Sequence, residues 1–77
     1  MNGNLNLLCE LRHKDGRIIL PGTTMTSFRG DRWTLRGISQ FAPNMPGKVY
    51  VQSPDTSQNR EFNAAVFECT VVLKDSR

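Results

Sequence analysis

The chain has 77 residues, of which 38% are hydrophobic, and its ten basic and seven acidic side chains give a formal net charge of +3. A chain of this length forms one domain at most, with a small core, and we expect residues 1–4 and 74–77 to be loose tails. No segment approaches the roughly 20 apolar residues of a membrane span, and the apolar segment of a signal peptide is missing. We therefore expect no membrane partner and a cytoplasmic protein whose cysteines are reduced.

The first third of the chain predicts short antiparallel units. Apolar residues on both sides of Lys14-Asp15-Gly16 favour a hairpin, and Pro21-Gly22 ends it because proline fixes φ and glycine admits a positive φ. Residues 23–28 have high β propensity and predict a strand. The following Arg29-Gly30-Asp31 predicts a turn in which the glycine takes a positive φ.

Residues 32–40 give the clearest strand pattern in the chain. Alternation assigns three residues to the inner face: Trp33, Leu35 and Gly37. It assigns four to the outer face: Arg32, Thr34, Arg36 and Ile38. The first set is taken as inner because a tryptophan and a leucine bury the larger apolar area.

The second half of the chain alternates between loops and strands. Residues 41–47 form a loop rich in proline and glycine, in which Phe41 and Met45 either form an exposed knob or, as we favour, cover one end of the core. Residues 48–53 alternate as a strand that turns Val49 and Val51 inward and Lys48, Tyr50 and Gln52 outward.

The end of the chain predicts two more strands and a single helical turn. Residues 54–59 form a polar turn and residues 60–62 a short strand. Residues 63–67 predict a helical or 3₁₀ turn capped by Asn63, and residues 68–73 the last strand. Such an order predicts an all-β fold: a small five-stranded SH3-like barrel with an N-terminal hairpin extension and a single helical turn before the last strand. An oligonucleotide-binding-type barrel is the alternative.

A resemblance is carried by Lys14-Asp15-Gly16-Arg17-Ile18-Ile19, by Pro21-Gly22-Thr23 and by Phe28-Arg29-Gly30-Asp31. Further parts of the pattern are Trp33, residues 47–51, residues 60–62 and Val66-Phe67. The chain in this region resembles small uncharacterised β-barrel proteins encoded by bacteriophages and other mobile elements. The resemblance extends from residue 14 to residue 73. It implies that the protein originates from a mobile element, and it implies no activity and no functional residue.

No set of residues predicts an enzyme. Cys9 and Cys69 lack the paired spacing of zinc ligands, and they are either joined in a disulfide or, as we favour, two small buried hydrophobic side chains. The single histidine, His13, is expected at a hairpin turn without a nucleophile or carboxylate partner. We expect a non-enzymatic protein with no cofactor and no metal, although a symmetric oligomer could assemble a pocket from repeated residues.

One surface is a candidate site. The outward residues of the strand at 32–40 should lie beside those of the strand at 48–53, and the preceding turn should extend the surface. Cations that follow phosphates and a ring that stacks on a base are the chemistry of single-strand nucleic-acid binders. The candidate nucleic-acid-binding residues are Arg29, Arg32, Arg36, Lys48 and Tyr50. Alternatively the charges are neutralised by Asp31, Asp55 and Glu61 on a solvated face.

The sequence leaves three functions open. The first is an accessory protein that binds single-stranded nucleic acid through this basic β face. The second is a protein-interaction module that modulates a host protein, and the third is a structural or assembly component of the mobile element.

Overall fold

The computed structural model describes residues 4–74, in which antiparallel strands predominate. A short helix, α1 (Asn4–Leu8), precedes seven strands. The strands are β1 (Cys9–His13), β2 (Ile18–Ile19), β3 (Thr24–Thr26), β4 (Arg32–Gln40), β5 (Lys48–Gln52), β6 (Asn59–Asn63) and β7 (Cys69–Leu73). A 3₁₀ turn (Ala64–Phe67) lies between β6 and β7. None of the helices in the described part of the chain has the length and apolar character needed to cross a membrane.

The strands form two antiparallel sheets, one with the order β2-β1-β7 and one with the order β3-β4-β5-β6. The all-β class is therefore confirmed. The five-stranded barrel is not confirmed, since neither sheet closes on itself within residues 4–74. Pro21 and Gly22 form a turn between β2 and β3 and interrupt the strand that would join the two sheets.

The predicted N-terminal hairpin exists, but it is no extension of the fold. β1 pairs with β2 at Leu11 and Arg12, and it also pairs with β7 along its whole length, from Cys9 opposite Leu73 to His13 opposite Cys69. β1 is thus the central strand of the three-stranded sheet.

Both sheets contribute to one hydrophobic core. Its buried members are Cys9, Leu11, Ile19, Met25, Leu35, Ile38, Val49, Val51, Ala64, Phe67, Cys69 and Val71. Trp33 packs against the edge of this core and is half-buried, so the predicted inner face of β4 is correct at Trp33 and Leu35.

Two irregularities in β4 change which of its residues face inward. The register with β5 shifts between Leu35 and Gly37 and again between Ile38 and Gln40, and each shift leaves one extra residue on β4, as in a β-bulge. The alternation is therefore interrupted. The prediction that Ile38 faces outward is wrong, because its side chain is only 6% exposed. Gly37 pairs with Tyr50, but it is buried, as predicted, and an added Cβ there would meet the Asn6 side chain of α1 at 3.2 Å.

The two ends of the described chain are held together. The amide of Ile38 donates to Asn6 Oδ1 of α1 at 2.9 Å. The Lys74 amide donates to the Leu8 carbonyl at 2.9 Å, and Lys74 Nζ donates to the Asn6 carbonyl at 3.1 Å. Residue 4 begins a helix and residue 74 is hydrogen-bonded, and the rest of the predicted tails, residues 1–3 and 75–77, lies outside the described residues.

The predicted helical turn is confirmed as the 3₁₀ turn. Asn63 caps it by accepting a hydrogen bond from the Ala65 amide at 2.8 Å. Glu68 takes a left-handed conformation with φ of 59°, and β7 for this reason begins one residue later than predicted. Phe67 is 2% exposed and belongs to the core.

The loop before β5 covers the core with only one of its two large apolar side chains. Phe41 packs against the core, as predicted. Met45 is 59% exposed, so the prediction is wrong for this residue.

Candidate nucleic-acid interface

The structure brings Arg36, Lys48 and Tyr50 together on one side of the four-stranded sheet. Tyr50 lies opposite Gly37, and Lys48 lies opposite Gln40. Arg36 is the extra residue that precedes Gly37, and it therefore lies beside Tyr50. The tyrosine is 43% exposed, and its backbone is held on both sides by β4 and β6.

Arg32 lies at the opposite end of the same sheet. It pairs with Thr26 of β3, whereas β5 ends at Gln52, which lies opposite Thr34. From the level of Lys48 to the level of Arg32 there are six strand positions, which span about 20 Å at 3.3 Å per residue. We call the side of the sheet formed by Arg32, Arg36, Lys48 and Tyr50 the outer face.

Arg29 is the one candidate that the structure separates from the outer face. It lies in the turn between β3 and β4, and its guanidinium is 5.8 Å from the centre of the Phe28 ring. It lines a cavity together with Trp33 and Arg60. Phe28 and Arg60 were not among the predicted binding residues, although the alternation of Arg60 with Phe62 indicates that Arg60 lies on the inner side of β6.

The ion pairs in residues 4–74 cluster at the β1–β2 hairpin. They join Arg12 to Glu10 and Lys14 to Glu68, both at 2.7 Å, and Arg17 to Asp15 at 2.8 Å. No ion pair within the described chain includes a basic residue of the outer face.

The acidic side chains expected to neutralise the outer face form no ion pair within residues 4–74. Glu61 lies opposite Tyr50, on the same side of the sheet as the outer face, and there it accepts a hydrogen bond from the Ser39 hydroxyl. Residues 23–63 contain five basic and three acidic side chains, a net charge of +2 by subtraction. The region therefore has a net positive charge, with the Glu61 carboxylate on the outer face itself.

Local partners determine the ionisation of two carboxylates at the hairpin. The Arg17 backbone amide, helped by its guanidinium, lowers the pKa of Asp15. The Lys14 ammonium donates a hydrogen bond to Glu68 and lowers the pKa of that carboxyl. Both acids therefore stay ionised beside their own partners.

The two cysteines cannot form a disulfide with each other in this fold. Cys9 and Cys69 lie at opposite ends of the β1–β7 pair, four strand positions or about 13 Å apart, whereas a disulfide needs Cα atoms within about 7 Å. Both are free and buried, which confirms the hydrophobic alternative. Burial raises the pKa of the Cys69 thiol to about 11, and a thiol of this kind is a poor nucleophile.

His13 has a structural partner that the sequence analysis did not foresee. Its Nδ1 accepts a hydrogen bond from the Asp15 backbone amide at 3.2 Å, and the Asp15 carboxylate is equally near. The histidine is half-buried and helps to shape the hairpin turn. Within residues 4–74 no three His, Cys, Asp or Glu side chains are placed to hold a metal ion.

Comparison of the chain with models of protein families, with curated proteins and with solved structures found no match. The outer face has spaced cations and one partly exposed aromatic ring on a sheet, a combination that can bind phosphates and stack one base.

Proposed function

We propose that this protein is a non-enzymatic accessory protein of a bacteriophage or other mobile element and binds single-stranded nucleic acid through the outer face. The observation that carries the binding proposal is the bulge that places Arg36 beside the half-exposed ring of Tyr50, without an acidic ion-pair partner in residues 4–74. The mobile-element origin depends on the sequence resemblance alone.

Two kinds of side chain on the outer face contribute to binding. Arg32, Arg36 and Lys48 lie at successive levels along about 20 Å of sheet and bind phosphates without regard to sequence. Tyr50 supplies a ring on which one base stacks. The strand therefore runs along the sheet with a base turned toward the protein near its middle.

A single strand fits this surface better than a duplex. Sequence-specific binding in a DNA major groove needs an inserted helix or β-ribbon, and the longest helix of residues 4–74 has five residues. A sheet with an exposed ring instead suits unstacked bases. We infer further that the two sheets form an open SH3-like arrangement, an inference supported by the pairing of β1 with β7 and by the 3₁₀ turn before the last strand.

The test measures binding of a fluorescently labelled single strand at low and moderate salt. Removing one phosphate contact with Arg36→Ala should reduce the slope of log K against log salt by about 0.7. Removing the stack with Tyr50→Ala should weaken binding by about 1–3 kcal/mol. Arg17→Ala is the matched control, because it removes the same charge from a position where Asp15 already pairs with it.

Both outer-face side chains point into solvent, and the substitutions should change the free energy of unfolding by less than about 0.5 kcal/mol. A loss of binding without a loss of stability thus supports the proposal. If the wild-type protein fails to bind a single strand at low salt, where the electrostatic attraction is greatest, the proposal is wrong.

A protein-interaction module that modulates a host protein is the second candidate. It is favoured by an apolar groove of about 510 Å³ between the loop at 41–46 and β7, where Met45 and Leu73 are 59% and 60% exposed. Affinity capture from the host with wild type and Met45→Lys tests this candidate. A partner lost on this substitution supports an interaction module, whereas capture of components of the mobile element would indicate an assembly role.

A further inference from the structure

A second aromatic and basic site lies at the end of the four-stranded sheet. There the turn between β3 and β4 faces β6 and the 3₁₀ turn across a cavity of about 480 Å³. We call this cavity the stacking groove, and its lining includes Phe28, Arg29, Trp33, Arg60, Phe62 and Val66. Its volume lies in the range of small-ligand sites.

Phe28 is exposed but held on a rigid turn. Its side chain is 71% exposed, whereas its amide donates to the Val66 carbonyl at 2.9 Å. The buried Ser27 hydroxyl accepts from the amides of Arg29 and Asp31, both at 3.2 Å, and the Ser27 amide donates to the Asp31 carbonyl at 2.8 Å. The backbone that carries the ring is therefore ordered before a flat partner stacks on it, which removes part of the entropic cost of binding.

The floor of the stacking groove is also aromatic. Trp33 and Phe62 meet edge to face, with ring centres 5.1 Å apart and an interplanar angle of 76°. Val66 closes the floor on the side of the 3₁₀ turn. The planar part of a ligand would therefore be enclosed by apolar surface below and by Phe28 at the side.

Positive charge lies at the rim of the stacking groove. Arg29 extends over the Phe28 ring, and Arg60 stands on the same side of β6 as Phe62 because the two residues alternate with Glu61. Neither arginine forms an ion pair within residues 4–74, and the groove contains one acidic residue, Asp31. A ligand that matches the aromatic side chains and the two arginines has a flat unsaturated ring and an anionic group a short distance from it, as a nucleotide does.

We propose that the stacking groove holds one nucleotide of the bound single strand, with its base against Phe28 and its phosphate between Arg29 and Arg60. This inference rests on the proposed function, which supplies the rest of the strand. A neighbouring cavity shares Asp31 and Trp33 with the groove and also contains Arg32 of the outer face. In this proposal the strand continues from Tyr50 past Arg32 into the groove, through a cavity that also contains the carboxylates of Asp31 and Asp55.

Two signals separate the groove from the outer face in one titration. Trp33 is the single tryptophan of the chain, so its intrinsic fluorescence reports on the groove. The anisotropy of a labelled oligothymidylate of about twelve nucleotides, within the usual site size of single-strand binders, reports total binding. Wild type should show both a rise in anisotropy and quenching of Trp33.

Phe28→Ala should abolish the quenching and lower the affinity roughly 5- to 150-fold, which corresponds to the about 1–3 kcal/mol of one stacked base. Arg60→Gln should keep part of the quenching and reduce the salt slope by about 0.7. The matched controls are Leu20→Ala, which truncates a side chain that is 64% exposed away from the groove, and Arg12→Gln, which removes a guanidinium that pairs with Glu10. Both controls should bind as wild type does.

The outer-face variant Arg36→Ala keeps the groove intact and should still quench Trp33 at higher oligonucleotide concentration. If the oligonucleotide binds without quenching Trp33 and binds Phe28→Ala as tightly as Leu20→Ala, the groove inference is overturned, and the proposed binding through the outer face is unaffected. If wild type shows no binding by either signal, the proposed function fails and the inference fails with it. Binding of an acidic peptide in the groove with no effect of Phe28→Ala on the oligonucleotide would also overturn the inference.

Discussion

Gly47→Ala should be the most destabilising single methyl addition at a described glycine. Gly47 ends the loop before β5 with φ of +82°, and a Cβ atom there would lie 2.7 Å from both the Gln40 carbonyl oxygen and the Val71 Cβ. Carbon atoms normally approach no closer than about 3.5 Å. Hydrogen bonds hold the backbone on both sides, from Val71 to the Pro46 carbonyl at 2.7 Å and from Ala64 to the Gly47 carbonyl at 2.8 Å. The loop therefore cannot move away from β7 without breaking them.

Two penalties add at this position. A non-glycine residue in such a conformation costs about 1–3 kcal/mol, and forcing a methyl group into a packed site costs about 1–3 kcal/mol more. The sum, about 2–6 kcal/mol, is a large part of the roughly 4–12 kcal/mol expected for a domain of this length. Gly16→Ala is the matched control, since Gly16 has φ of +98° but an added Cβ would meet nothing within 4 Å.

The measurement is urea denaturation followed by Trp33 fluorescence, with equal m values required before the midpoints are compared. Gly16→Ala should be destabilised by the conformational penalty alone. The difference in free energy of unfolding between the two variants then gives the cost of the contact with Gln40 and Val71. Equal destabilisation of the two variants would refute the reasoning, because it would show that the loop yields without cost.

Trp33→Ala should lower the free energy of unfolding by about 3 kcal/mol, the low end of the range for large aromatic truncations because the ring is half-buried. Thermal denaturation should then show a Tm decrease of more than about 10 °C for a domain of this size; a decrease of only a few degrees would contradict the predicted inner face. Cys69 should make the free energy of unfolding fall at alkaline pH. Burial raises the pKa of its thiol from 9.0 to about 11, so the unfolded chain releases this proton at lower pH than the folded protein does. The stabilisation from the buried neutral thiol is therefore complete below pH 9 and is lost as pH rises toward 11. Between pH 9 and 11 the urea midpoint should fall more steeply with pH for wild type than for Cys69→Val. The same pH dependence in both proteins would contradict the prediction for Cys69.

The bounds of β4 could be predicted from sequence, but its register could not. Nine residues of alternating polarity without proline are sufficient to indicate a strand from Arg32 to Gln40. The bulges depend on which residues of β5 lie opposite, a property of two strands together. The inward turn of Ile38 and the position of Arg36 beside Tyr50 therefore become visible only when the strands are paired.

The helix α1 could not be predicted from the local sequence, for a different reason. A five-residue segment is far too short to be a stable helix by itself, and asparagine and leucine in alternation give no helical signal. Its place is fixed by contacts with distant residues, such as the hydrogen bond from Ile38 to Asn6 and those from Lys74.

The residue types of the candidate site were predictable, and their grouping was only partly so. A pattern of alternating cations and one tyrosine indicates a basic β face, and Arg36, Lys48 and Tyr50 do lie together. Arg29 lies elsewhere because the turn at residues 27–31 is shaped by the Ser27 hydroxyl and by a hydrogen bond to the 3₁₀ turn. Such tertiary hydrogen bonds leave no mark in the local sequence pattern.

The position of β1 between β2 and β7 has a consequence for the order in which the chain can fold during synthesis. β1 is made early, but its full-length partner begins only at Cys69, and the pairing with β2 involves only two residues. A two-stranded hairpin is marginally stable in water, so Cys9 and Leu11 stay exposed to solvent until β7 leaves the ribosome. A nascent chain that stalls before Cys69 would therefore present these apolar side chains to chaperones, and folding to the native state is coupled to the synthesis of the last strand.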